Sequence, residues 1–303
     1  MDQEMDQEND KKPLVTFYLK NTITCPVCGM EFKREEMMTG RGRLITKGIT
    51  KELRRYYEPS KVYGKVNPLL YPVTVCPRCY FGVLHEDFDK IKPQNVANAK
   101  AASEKRLAVI NRIFGTLDFR QTRELKHGAA SYILAIDCYD YFDKWASPTM
   151  KKAICSIRAA WLFNDLEMEN PLDDYGNMQN HFYKKAHDFY KVVLIKQERG
   201  EESFDGIKHM GPDTDFNYGY DGILYLVGVL AMRNSYLEKD KLKVIEDFTN
   251  AKKIVSKMFG LGKASKEKPS LLLDMARELY DELSEKIEEI KVTMAGQETS
   301  SPQ

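Results

Sequence analysis

Cys25-Pro26-Val27-Cys28 and Cys76-Pro77-Arg78-Cys79 are one four-residue device used twice in a chain of 303 residues that holds six cysteines. A Cys-x-x-Cys turn brings two sulfurs to one side of the backbone. Two such turns supply four thiolates, the full ligand set of a tetrahedral metal ion. Residues 22–24 and 30–33 around the first turn, and 72–75 and 80–84 around the second, have strand-like composition. The expectation is two short hairpins clasping one Zn²⁺, a zinc ribbon. Iron would satisfy the same thiolates and stays open as an alternative. A redox dithiol needs one pair in a βαβ setting, which is missing here. Four thiolates leave no open position for water, so the ion is expected to be structural, holding a region too small to bury a core alone. Cys138 and Cys155 lie in helix-like segments among Tyr, Ile and Ala and are expected to be buried apolar residues.

The rest of the chain must position these turns. Its length suits about two domains, and 43% apolar with 30% charged residues marks a soluble globular protein. A net charge of +1 gives the whole molecule no bias toward a polyanionic partner. The start, MDQEMDQENDKK, lacks the basic and then apolar pattern of a secretory leader. The longest apolar run, residues 223–232, is about half of what a bilayer crossing needs. A cytoplasmic protein with no membrane segment is expected, a compartment in which cysteines serve metals better than disulfides.

From about residue 95 apolar positions recur at helical spacing, predicting helices near 94–114, 128–146, 149–168, 178–198, 220–237, 241–259 and 269–294. Ser147 followed by Pro148 predicts an N-cap and first helical residue. Small residues flanked by aromatics at three- and four-residue steps suggest helical hairpins of a tetratricopeptide-like, irregular kind. An orthogonal bundle is the alternative. The fold class is therefore α+β, mostly α: an acidic tail (1–14), a zinc-ribbon-like region (15–92), a helical-hairpin domain (93–294) and a short tail (295–303).

Between the cysteine pairs, residues 31–65 carry ten Lys or Arg against five acids, interleaved with Tyr56, Tyr57 and Tyr63. Cations attract phosphates and tyrosines stack on bases, so Arg41, Arg43, Arg54 and Arg55 are candidate nucleic-acid contacts. A solvated basic face is the plainer account. Of the five histidines, none forms a His-Glu-x-x-His or di-iron pattern. His181 and His187, six residues apart on a helix, point away from each other and are expected at the surface. GLGKAS at 260–265 lacks phosphate-loop spacing, and the acidic run at 164–174 is expected to be a solvated loop. Neither a nucleophile elbow nor a kinase signature occurs.

TCPVCGMEF, GRLITKGITKELRRYYEPSKVYGKVNPLLYPVTVCPRCYF, AICSIRAAWLFNDLEME, HFYKKAHDFY and ILYLVGVLAMRNS together resemble the bacterial family called domain of unknown function 2225, over residues of about 20 to 285. NPLLYPVTVCPRC is the most specific part. The resemblance implies that Cys25, Cys28, Cys76 and Cys79 are metal ligands and that the helical half is similar to tetratricopeptide modules. The family continues its second pair with Gly-Tyr, where this chain has Tyr80-Phe81, so the turn must accept a side chain. Two functions are carried forward. One is a non-enzymatic adaptor that offers a groove, with Tyr132, Tyr139, Tyr183, Tyr190 and Tyr225 as lining or core, to a protein partner. The other is a nucleic-acid- or nucleotide-binding regulator using the basic insert.

Overall fold

The computed structural model describes residues 14–204, 207–259 and 270–299. Residues 1–13 of the acidic tail and the GLGKAS stretch lie outside them. The amino-terminal region is built from four antiparallel two-stranded ladders. Strand β1 (Thr16–Tyr18) pairs with β4 (Glu35–Met37), and enclosed between them β2 (Ile23–Thr24) pairs with β3 (Glu31–Phe32). The insert forms its own hairpin, β5 (Ile45–Ile49) with β6 (Arg55–Glu58), and the second cysteine pair joins β7 (Val73–Val75) to β8 (Gly82–Leu84).

The helices are α1 (Pro93–Ala101), α2 (Ser103–Phe114), α3 (Leu125–Cys138), α4 (Pro148–Glu169), α5 (Gly176–Glu198), α6 (Gly219–Asn234), α7 (Lys241–Ser256) and α8 (Ser270–Thr299). The fold is thus α+β and mostly α. Each helix from α3 onward packs against the next. The start of α4 meets residues 196–203, and its end meets residues 176–179, so α4 and α5 form an antiparallel hairpin. Helix α6 carries the long apolar run and is buried for almost its whole length. No helix among the described residues is long and apolar enough to cross a membrane.

Two local departures have physical causes. The single helix expected over 94–114 breaks at Ala102 because Arg106 Nη2 takes the Ala99 carbonyl at 2.7 Å, while Ser103 Oγ donates to Lys100 O. Ser147 precedes Pro148 as expected, but its hydroxyl donates to Ser203 O and does not cap. Glu202, far along the chain, caps α4 in its place, accepting from the Thr149 and Met150 amides at 2.9 and 3.3 Å. Helix α8 continues to Thr299, past the boundary expected at 294.

A single apolar cluster runs from Cys25 and Val27 through α3 and α4 to Ile287. The strand region therefore completes its core on the helices, chiefly on α3, as its small size demands. Gly128 permits this approach, since a Cβ there would lie 2.6 Å from Leu70 Cδ2 and 2.9 Å from Leu162 Cδ1.

Candidate metal centre

The two cysteine turns are near copies in backbone detail. Gly29 N donates to Cys25 O at 2.9 Å and Cys25 N to Met30 O at 2.8 Å; Tyr80 N donates to Cys76 O at 3.0 Å and Cys76 N to Phe81 O at 2.9 Å. Closing the turn requires a left-handed residue after the second cysteine. Gly29 meets that need at φ +70°, and Tyr80 meets it at φ +53°. The roughly 1–2 kcal/mol that an L-residue loses there is opposed by the tyrosine's contacts. Its hydroxyl donates to Leu117 O, and its ring meets Phe119 edge-on at 5.3 Å. The left-handed Tyr80 is thus anchored in packing.

The four sulfurs converge. Cys25 Sγ lies 3.7 Å from Cys79 Sγ and Cys28 Sγ 3.5 Å from Cys76 Sγ, and all four lie within 4.8 Å of one another. None is bonded to another, and three are buried with Cys28 half-buried. Among the described residues this is the one group of three or more His, Cys, Asp or Glu able to hold a metal ion. Backbone amides face the sulfurs: that of Cys28 is directed at Cys25, and those of Arg78 and Cys79 at Cys76. Contact between the thiols divides their acidities. Hydrogen bonds from Cys25 and Cys79 draw the Cys76 thiol far below its usual range, while the same contacts, with burial, push Cys25 and Cys79 above theirs. A cation at the centre of four such sulfurs favours the thiolate at every one.

The centre is bolted to the helices by residues that spacing alone did not single out. Arg106, 2% exposed, donates to Cys79 O through Nε and Nη2 at 3.2 and 3.0 Å. Gly82 N donates to Cys138 Sγ at 3.4 Å. Cys138 and Cys155 are fully buried, and burial pushes both thiols up to about 12, as expected of core cysteines. In the NPLLYP stretch, Tyr132 Oη donates to Leu69 O at 2.8 Å and Arg123 Nη1 to Leu70 O at 2.9 Å.

His85 follows the second hairpin, its Nδ1 within 2.5 Å of Thr74 Oγ1, and burial, with Arg34 and Arg123 nearby, holds its pKa down to about 3 from 6.5. The folded state refuses a proton that the unfolded chain accepts. His85's share of the stability is therefore complete above about pH 6.5 and is lost as pH falls toward 3. Chemical-denaturation titrations should show a shallower acid-side loss between those limits for His85→Gln than for the parent; parallel curves would contradict this.

Three of the four candidate arginines of the basic insert are engaged within the fold, while Arg41, Lys33, Lys47 and Lys61 are exposed. Arg54, 6% exposed, makes two bonds to the Asp165 carboxylate at 3.0 and 2.5 Å and one to Trp161 O. Arg43 is also 6% exposed and lies over the Tyr63 ring at 4.4 Å, and Arg55 pairs with Asp215 at 2.6 Å. Of the four arginines only Arg41 is exposed without an ion pair among the described residues. The acidic run at 164–174 is likewise partly engaged: Asp165 holds Arg54, and Glu167 accepts from Gly176 N.

The tip of this insert docks on the helices. Leu53, at φ +62° and 0% exposed, enters the core, while Glu52 accepts from Trp161 Nε1 and Tyr183 Oη, both at 2.7 Å. Tyr132, Tyr139, Tyr183, Tyr190 and Tyr225 are all buried core residues, and of the five Tyr183 also borders a cavity of about 260 Å³ beside Glu52 and Trp161. His181 and His187 do point into different clefts. The surface position expected of His187 is corrected, since it is 5% exposed.

The family model for an uncharacterized protein conserved in bacteria (DUF2225) matches residues 18–283. The chain belongs to this family. It is 41% identical over 282 residues to an uncharacterized protein of Borreliella burgdorferi, covering 91% of this chain and 99% of the relative. No solved structure gives a significant match.

Proposed function

We propose that the chain is a non-enzymatic, cytoplasmic interaction protein whose strand region is stapled by a structural Zn²⁺ to a tetratricopeptide-like helical array. The observation that carries the reading is the convergence of four thiols, three of them buried, on one point. A tetrahedral ion with zinc–sulfur bonds of about 2.3 Å separates its ligands by about 3.8 Å, close to the 3.5 and 3.7 Å measured between paired sulfurs. Cys25, Cys28, Cys76 and Cys79 would hold the ion and fill its coordination sphere. It would contribute rigidity and no open position for substrate.

The surface that supports a protein partner is a cleft of about 440 Å³ between α2, α3, α4 and α5. Its floor is apolar, with Val109, Ile113, Ile133, Met178 and Phe189, and Lys105, Arg112 and Lys185 stand at its rim. An apolar floor under cations suits an acidic segment with apolar anchors from another protein. Of the four arginines of the nucleic-acid reading, Arg43 and Arg54 are buried, which favours the protein-partner reading. The test is a photo-crosslinker placed at Met178. One partner protein should be captured in stoichiometric amount, and capture should be abolished by Lys105→Glu with Lys185→Glu. No adduct, or an adduct indifferent to charge reversal, would sink the proposal.

A further inference from the structure

Where the tip of the insert meets the helices, a cavity of about 260 Å³ opens between residues 50–56, α4, α5 and the end of α6. Two of its walls carry charges that the fold leaves unpaired. On one wall Arg233 lies over the Tyr183 ring at 4.8 Å and forms no ion pair among the described residues. Its Nε is buried without an acceptor, while Nη1 and Nη2 reach solvent and have no acceptor either. On the other wall Glu52 commits one carboxylate oxygen, since Trp161 Nε1 and Tyr183 Oη both donate to Oε2 at 2.7 Å. Oε1 has no donor among the described residues and reaches solvent.

A single ring sets the spacing of the two charges. The guanidinium stands over the face of Tyr183 and the carboxylate at its hydroxyl edge, so opposite charges border one space without closing on each other. Burial, with Glu52 beside the hydroxyl, holds the Tyr183 phenol well above its ordinary range, so it stays a donor.

The other cations of the lining are already answered. Lys51 pairs with Glu282, and Arg54 makes two bonds to the Asp165 carboxylate. One guanidinium and one carboxylate oxygen remain, and they decide what fits between them. A phosphate or a carboxylate alone would be set against Glu52. An amine or a metal ion alone would be set against Arg233. A zwitterion satisfies both walls, because its carboxylate accepts from the guanidinium and its ammonium donates to Oε1. The volume lies below the roughly 300–1,000 Å³ of drug-sized sites, which calls for a ligand of few heavy atoms with its two charges close together.

We infer that this cavity binds a free α-amino acid, its carboxylate on Arg233 and its ammonium on Glu52 Oε1. The inference is independent of the four-cysteine centre and of the cleft between α2, α3, α4 and α5.

Trp161 lines the cavity and is bonded to Glu52, so its emission reports on the site. The chain has two tryptophans, and the other, Trp145, is 43% exposed, so Trp145→Phe isolates the signal. Full-length Trp145→Phe is titrated with L-alanine, L-serine, L-leucine and L-glutamine. Propionate and ethylamine, which are alanine without its ammonium and alanine without its carboxylate, serve as controls. A saturable change is expected with at least one of the amino acids and with neither control. Arg233→Gln and Glu52→Gln, each checked for an unchanged helical spectrum, should weaken binding by on the order of tenfold, as expected for loss of a charge-assisted hydrogen bond. Glu52→Gln keeps an acceptor for Trp161 and Tyr183, and should it fail to fold, the half-buried Arg233 carries the test alone. No saturable change with any amino acid, an equal response to propionate or ethylamine, or unchanged affinity in Arg233→Gln would overturn the inference.

Discussion

Cys76→Ser is expected to lower the thermal midpoint by more than about ten degrees and to leave the purified protein without the ion proposed for the four-cysteine site. Cys76 is fully buried, and its sulfur lies 3.5 Å from that of Cys28. The structural ions of small zinc modules contribute apparent free energies of about 10–16 kcal/mol, comparable with the whole stability of a typical domain at about 5–15 kcal/mol. A loss of even about 5 kcal/mol corresponds to about 10–20 degrees in a chain of a few hundred residues. The damage should spread beyond the strand region, because Arg106 ties the Cys79 carbonyl to α2 and Phe81 is buried in the shared core. Cys155→Ala is the control. It empties a small volume of core without touching the ligand set and should cost about 1–2 kcal/mol. Calorimetry with metal analysis separates the two; equal losses would refute a special role for Cys76.

Lys151→Met is expected to destabilise the fold by about 3–5 kcal/mol. The Lys151 ammonium and the Asp87 carboxylate, each 2% exposed, meet at 2.5 Å, and Tyr139 Oη donates to the same carboxylate oxygen at 2.8 Å. Burial and the adjacent carboxylate push the Tyr139 phenol well above its ordinary range, so it remains a donor. Without Lys151, the buried carboxylate keeps the Tyr139 hydroxyl and, at 3.6 Å, the half-exposed Lys90. Removing one partner of a buried pair costs more than removing both, since the survivor's desolvation is then uncompensated. Denaturant unfolding of Lys151→Met, Asp87→Leu and the double variant forms a cycle in which the double variant should recover much of either single loss. Strict additivity would contradict the pairing.

The four-cysteine cluster was legible from two spaced cysteine pairs with strand-like flanks, because a turn that presents two sulfurs is a local matter. The helices were legible for a similar reason, since their burial pattern repeats along each segment. What stayed hidden depends on distant residues. Arg54 reads as a surface cation until Asp165, 111 residues away, takes it. Ser147 reads as a cap until Glu202 supplies the carboxylate. His187 reads as a surface histidine because its six-residue offset from His181 says where it points and nothing about α7, which covers it. The β5–β6 hairpin went unseen because its tip is held by Leu53 in the core and Glu52 between Trp161 and Tyr183. Tyr80 is the reverse case: its departure from glycine was visible in sequence, and the structure supplies the hydroxyl bond and ring contact that hold it left-handed.

X-ray absorption at the metal edge of the purified protein tests the central claim most directly. One zinc per chain is predicted, surrounded by four sulfurs at about 2.3 Å with no nitrogen or oxygen ligand. A metal-free protein, or an ion with fewer than four sulfurs and a bound water, would contradict it.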